Sequence, residues 1–328
     1  MTPDSVRVAI SAGGICGSDL HYFHDGGFGP IRVREPIILG HEASGRVVEV
    51  GDRVDSLRIG DLVAINPSRP CGDCRFCNQD EFVHCLNMNF RGSAYRFPHE
   101  QGLFRDTLVL PAAQLHVFRT GVSVQEAACA EPLSVCLHAV KQAPDLSGKR
   151  VLVTGAGPIG ALCASVASLR GASEIVVTDI ENYPLSVARQ MGATSTVNAR
   201  TDRDGLDPFK VDKGQFDVVF ECSAAAPAIT EALEALRPRG TMVLVGVAGE
   251  TPVPINLIVS KEIKLRGTHR FHEEFAKAVK LIDTGALNVQ PILSRSFDYE
   301  DALLAFQTAG DRNEAIKVHI LFKGEAAA

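Results

Sequence analysis

The chain has 328 residues, 45% of them hydrophobic and 22% charged, with a formal net charge of −6. That length allows two domains with cores of their own, and the acidic balance excludes a surface built for nucleic acid or anionic lipid. No basic segment leading into an apolar run opens the sequence, and the nine cysteines are odd in number; both features predict a cytoplasmic protein in a reducing compartment.

In chain order, Val6 to Ile10 alternates as a strand does, Gly45 to Val50 reads as a second strand closed by Gly51-Asp52, and Leu62 to Asn66 as a third. Short strands between Gly, Pro and Asp turns predict a β-barrel-like first third. Cys71, Cys74, Cys77 and Cys85 follow in the spacing C-x2-C-x2-C-x7-C. From about Glu131 the pattern changes. Lys149 to Thr154, Glu174 to Asp179, Phe216 to Glu221 and Thr241 to Gly246 read as strands. Between them Ile159 to Leu169, Tyr183 to Met191 and Ala226 to Leu236 read as helices. Strands alternating with helices predict a parallel, doubly wound sheet. A helix over 273–283 and a strand over 316–322 follow. The longest uncharged run, Val151 to Leu169, approaches membrane-span length, but Gly155, Gly157, Pro158 and Gly160 divide it into strand, turn and helix. No membrane partner is expected.

Four thiolates so close together in a reducing compartment are metal ligands rather than disulfides. A ferredoxin spacing would place the fourth cysteine after three residues and follow it with Pro; here seven intervene and Leu86 follows. A closed, structural zinc site is the reading that remains. Gly155-x-Gly157-x-x-Gly160, with Pro158 and Ile159 inside it, follows a strand and opens a helix, the context in which such a turn admits a pyrophosphate. Asp179 lies nineteen residues beyond Gly160, where a carboxylate accepts hydrogen bonds from the adenosine ribose. Ile180, Glu181, Asn182 and Tyr183 supply no arginine for a 2′-phosphate, so NAD is expected over NADP. Cys16 and His41-Glu42 are unremarkable alone. A His-Glu-x-x-His protease motif fails because position 45 is Gly.

Together these motifs identify a resemblance. Gly13 to Phe23, Gly40 to Gly51, the cysteine loop, Ala130 to Val135 and the glycine turn resemble the zinc-dependent medium-chain alcohol dehydrogenases, in their sorbitol dehydrogenase-like polyol branch. The resemblance implies an α/β fold: a β-rich GroES-like catalytic domain over 1–134 and 270–328, and a Rossmann NAD-binding domain over 135–269. It implies a catalytic zinc held by Cys16 and His41, with Glu42 a direct ligand in some members and a neighbour of the metal in others, and Glu131 acting through water or on substrate. Ser18 is expected to pass the alcohol proton toward solvent, Tyr22 and Arg270 to hold substrate, and Val245, Gly246 and Thr268 to join the glycine turn in binding the cofactor. The expected reaction is hydride transfer from a secondary alcohol of an aldonate to NAD. Sorbitol, xylitol or galactitol are the alternative substrates, and a non-catalytic zinc- and nucleotide-binding protein is the alternative of another class. Arg91, Arg96, His99 and Arg270 are the candidate cations for an aldonate carboxylate. A homodimer or homotetramer is expected. The family pattern places further strands, about a hairpin in length, ahead of the Gly13 to Cys16 motif, where this sequence has twelve residues.

Overall fold

The computed structural model describes residues 1–247 and 249–323; Ala248 and the tail 324–328, the end of the expected catalytic segment, lie outside the described residues. Two sheets organise the chain. The first has seven strands in the order Leu293–Asp298, Lys317–Leu321, Ser5–Gly14, Glu42–Val50, Leu62–Ile65 and Leu115–Val117, with Thr107–Pro111 also pairing onto Ser5–Gly14. Val6, Val8 and Ile10 point to one side of Ser5–Gly14 and join Val47, Val63, Ile65 and Leu110 in a core. The last strand returns to the first: Gly13 pairs with Ile320 and Gly14 with His319.

The second sheet is wholly parallel and runs Ser195–Asn198, Glu174–Asp179, Arg150–Thr154, Phe216–Glu221, Leu236–Leu244, Lys264–Gly267. That order places the switch point beside the carboxyl end of Arg150–Thr154, where doubly wound sheets bind ligands. Its strands are β-branched because both faces are covered. Val151, Val153, Ile175, Val177, Val218 and Phe220 pack into one core, and Leu152, Val176, Val219 and Met242 into the other. Truncating a fully buried ring such as Phe220 costs about 3–5 kcal/mol.

Sequence periodicity placed Arg150–Thr154, Glu174–Asp179 and Phe216–Glu221 to within a residue, found Leu236–Leu244 only from Thr241 on, and gave no sign of Ser195–Asn198. It missed the helix Gly17–Asp25, the helix Ala302–Gly310 and the edge strand Lys264–Gly267. The edge strand carries three charged or small residues in four and is exposed at every position, so it shows no alternation to read. Among the described residues, no helix is long and apolar enough to cross a membrane.

Candidate functional site

Cys16 caps the helix Gly17–Asp25, whose third residue, Asp19, folds back to accept the Cys16 amide at 3.0 Å. The strand Glu42–Val50 begins one residue after His41. These two element ends bring Cys16, His41 and Glu42 together, with ligand atoms all within 4.8 Å of one another. Asp19 is fully buried; its Oδ1 accepts the Gly40 amide at 3.1 Å and lies 3.7 Å from His41 Nδ1. At that separation Asp19 acts on His41 by charge rather than through a hydrogen bond, a carboxylate behind the ring of the kind common around metal-bound histidines. Burial alone would lower the His41 pKa, but Asp19 and Cys16 outweigh it and raise it well above its ordinary value. Burial also pushes the Glu131 carboxyl up to about 8. The His41 shift reports negative charge gathered around it and the Glu131 shift reports a dry site, together the setting that favours a divalent cation.

Glu42 has a cation already beside it. Lys317 Nζ, 2% exposed, donates to both Glu42 oxygens at 2.8 and 2.7 Å and to the Ile15 carbonyl at 3.1 Å. His319, also buried, has neither ring nitrogen in a hydrogen bond, and burial with Lys317 drives its pKa down to about 3, so it is neutral. Asp19, Lys317 and His319 went unnoticed in the sequence reading. A lysine in an Ile-Lys-Val-His-Ile strand was the available signal, because alternation places it on a buried face.

The four cysteines form a separate lobe. Cys71 and Cys85 sulfurs are 3.4 Å apart, Cys74 and Cys77 3.6 Å, and Cys71 and Cys77 3.9 Å. A tetrahedral zinc with four thiolates sets such edges at about 3.8 Å, so the set fits the ion without rearrangement. Amides of Cys71 and Leu86 point at sulfurs, and amide hydrogen bonds, first from Cys77 and then from Leu86, bring Cys74 down to about 6.

Met88, Phe90, Ser93, Tyr95, Arg96, Glu100 and Arg270 surround a narrow cleft that, with the side chains as they stand, leaves no room for a water molecule. The Arg270 guanidinium lies 4.8 Å from the Phe90 ring centre and 5.8 Å from that of Tyr95, and Phe90 is 5.6 Å from the His41 ring. Tyr22, 7% exposed, accepts the Ala94 amide at its hydroxyl, which leaves its proton free to donate. Ser18 sits half-buried in the first turn of Gly17–Asp25. Of the candidate cations, Arg96 and Arg270 border the cleft. Arg91 faces Glu100 at 3.9 Å. His99 is not a cation: its Nε2 accepts the Arg34 amide at 2.8 Å, which leaves the proton on Nδ1, directed at the Arg96 carbonyl.

At the switch point Gly155 has φ +84°, and a β-carbon on Gly160 would lie 1.8 Å from the Gly155 carbonyl. No other residue fits either position. Asp179 reaches back from its strand so that one oxygen accepts the Ala156 amide at 2.7 Å and the other the Glu181 amide at 3.0 Å. Arg200, from the neighbouring loop, is tied to Glu181 at 2.6 Å. Val245 and Gly246 spend their amides on the Glu221 carbonyl, so their own carbonyls are what they offer a ligand. Thr268 Oγ1 is buried without a hydrogen-bond partner. Glu221 is a further residue the sequence reading passed over; its carboxylate accepts Thr154 Oγ1 and the Ser223 and Ala224 amides, and so shapes the loop facing the glycine turn.

The family comparison agrees with this chemistry. Residues 2–120 match the alcohol dehydrogenase GroES-like domain and residues 158–284 the zinc-binding dehydrogenase domain. The chain belongs to the zinc-binding dehydrogenases. It is 41% identical over 316 residues to L-idonate 5-dehydrogenase (NAD(P)(+)) of Escherichia coli, covering 96% of this chain and 91% of that one. It is 38% identical to sorbitol dehydrogenase 1 of Saccharomyces cerevisiae, over 93% of this chain and 87% of the relative. The crystal structure of the E. coli L-idonate 5-dehydrogenase superposes with a TM-score of 0.94 at 40% identity, covering 98% of this chain and 92% of that one. Galactitol-1-phosphate dehydrogenase of E. coli superposes at 0.85 with 27% identity, covering 98% and 93%. This dehydrogenase therefore falls in the polyol and aldonate branch, with zinc and NAD as its cofactors.

Proposed function

We propose that the chain oxidises the C5 hydroxyl of L-idonate to the ketone of 5-keto-D-gluconate, with NAD as acceptor. The observation that carries this reading is Arg270. It is a guanidinium that pairs with no carboxylate among the described residues, held between two aromatic rings beside His41, with Arg96 on the same cleft. A neutral polyol gives two cations little to pair with; a carboxylate gives them a bidentate partner.

In this reading Cys16, His41 and Glu42 hold the catalytic zinc, with Glu131 beside it, and the four cysteines hold the structural one. A bound zinc supplies Lewis-acid polarisation of the alcohol oxygen, and the nicotinamide accepts the hydride. The chain's own groups do the rest. Asp19 sets its charge behind the His41 ring, and Lys317 holds Glu42 as a carboxylate. Ser18 carries the alcohol proton outward from the first helical turn. Tyr22 donates to a substrate hydroxyl, and Arg270 with Arg96 orients the carboxylate end. Gly155 to Gly160, Asp179, Val245, Gly246 and Thr268 seat the cofactor.

Polyol oxidation is the second reading, and the similarity to yeast sorbitol dehydrogenase favours it. NADH production across idonate, gluconate, sorbitol, xylitol and galactitol separates the two: no turnover of any acid overturns the idonate assignment. The protein is further proposed to be cytoplasmic and to pair as a homodimer, or a tetramer of such dimers. The exposed edge strand Lys264–Gly267 leaves its outer backbone groups unpaired, and Ile255 and Val259 are 61% and 72% exposed in the helix just before it.

A further inference from the structure

We propose that Arg312, supplied by the catalytic domain, is a binding residue for the cofactor pyrophosphate. Arg312 lies in the turn between the helix Ala302–Gly310 and the strand Lys317–Leu321. That turn is braced by Asp311, whose carboxylate accepts the Asn313 amide at 2.9 Å and whose carbonyl accepts the Ala315 amide at 3.0 Å. From this turn the side chain crosses to the nucleotide-binding sheet. A β-carbon built on Gly157 would lie 2.9 Å from Arg312 Nη1. The guanidinium thus occupies the space that the missing side chain of Gly157 leaves above the glycine turn.

Two features make this an anion position rather than a chance approach. Gly157, the N-cap of the helix Pro158–Leu169, has no side chain to cover the first turn. Pro158 has no amide hydrogen, so Ile159 and Gly160 provide the unpaired amides of the first turn, at the positive end of the helix dipole. Arg312 faces this same end and enters no ion pair among the described residues. A free guanidinium against the positive end of a helix is unfavourable until an anion lies between them. A diphosphate bridging the two removes the repulsion and gains charge-assisted hydrogen bonds from both sides.

The contact also joins the two halves of the enzyme. The strand that follows the turn carries Lys317, which grips Glu42. One short segment therefore touches the cofactor at one end and the metal-ligand set at the other. This inference does not depend on which alcohol is oxidised.

Fluorescence titration of the zinc-loaded enzyme tests it without turnover. Arg312→Ala is expected to raise the Kd of NADH and of ADP-ribose about ten-fold, the value of one charge-assisted hydrogen bond. Arg312→Lys should recover part of the loss. Adenosine, which has no phosphate, should bind both proteins equally. The wild-type Kd should also rise more steeply with added KCl than that of Arg312→Ala. Arg58→Ala, an exposed arginine in the catalytic domain, controls for net charge and should change nothing. An unchanged ADP-ribose Kd in Arg312→Ala overturns the proposal. So does an equal loss of adenosine binding, which would mean that Arg312 supports the cleft rather than the phosphates.

Discussion

Lys317 and Glu42, 275 residues apart in sequence and each 2% exposed, form an ion pair in which one ammonium spans both carboxylate oxygens. Removing one partner leaves the other charge buried and unpaired. Lys317→Met should therefore cost the metal-free protein about 3–5 kcal/mol, read as a lower urea midpoint. The double variant Glu42→Gln/Lys317→Met should lose less than Lys317→Met alone. Equal losses would mean that the two charges do not depend on each other.

The two metal sets should fail differently. Zinc analysis should give two ions per chain in the wild type, one for each set of ligands, and one in either His41→Ala or Cys77→Ser. His41→Ala should keep its thermal midpoint and lose turnover. Cys77→Ser should unfold at lower temperature and be cut by protease within the 71–90 loop, because that lobe has only Met88 and a few half-buried rings for a core. A folded, stable and inactive Cys77→Ser would contradict this division of labour.

Asp179 should govern the choice between cofactors. Its carboxylate faces the glycine turn, and the nearby Arg200 is held by Glu181. Asp179→Ala removes the charge that repels a 2′-phosphate, so kcat/KM with NADP should rise relative to NAD by about ten-fold. An unchanged ratio would place the discrimination elsewhere.

Phe82, within the cysteine lobe, stacks on His272 at 4.2 Å between ring centres and 27° between planes, two residues beyond Arg270. Arg270 itself sits at φ +53°, a backbone state that its surroundings must hold. Phe82→Ala should raise the KM for the alcohol about three- to ten-fold while leaving the KM for NAD unchanged. Phe82→Tyr should restore it. A matching change in both KM values would indicate general loosening instead.

Glu274 sets part of the acid limit. Burial alone would raise its pKa, but the His138 ring 3.2 Å away and the His272 amide, which donates to it at 3.0 Å, outweigh burial and lower it from 4.5 to about 2. A carboxyl with a depressed folded-state pKa contributes stability that is complete above its unfolded value and lost as pH falls. The contribution should therefore fade between about 4.5 and 2. Denaturation midpoints of Glu274→Gln should be lower near neutrality and flatter across that window than those of the wild type.

The parts of this molecule that sequence reveals are those whose chemistry is local. Cys71 to Cys85 and Gly155 to Gly160 each do their work within a few residues, so spacing alone exposes them. The parallel strands are legible because burial on both faces demands β-branched runs. Asp19, Lys317, Glu221 and Arg312 each make a contact far away in sequence besides any local ones, from 21 positions for Asp19 and Gly40 to 302 for Lys317 and Ile15. Each looks locally like an ordinary surface charge. His99 fails in the opposite direction: it lies in a basic loop, but the Arg34 amide takes the nitrogen that would have to be protonated.

The pairing of Ser5–Gly14 with Lys317–Leu321 sets a timetable for biosynthesis. Cys16 and His41 emerge early from the ribosome, but the lysine that grips Glu42 is made some 300 residues later. At about 5–20 residues per second that delay is on the order of 15 to 60 s. Thr107–Pro111 covers Ser5 to Ala9 partway through it, but until its end Ala12 to Gly14 lack their neighbour on that edge and Glu42 has no countercharge. The four-cysteine lobe needs nothing beyond Phe90 for its thiolates and can take up zinc while translation continues, whereas Glu42 of the mixed-ligand set gains its countercharge only when the strand Lys317–Leu321 has been made.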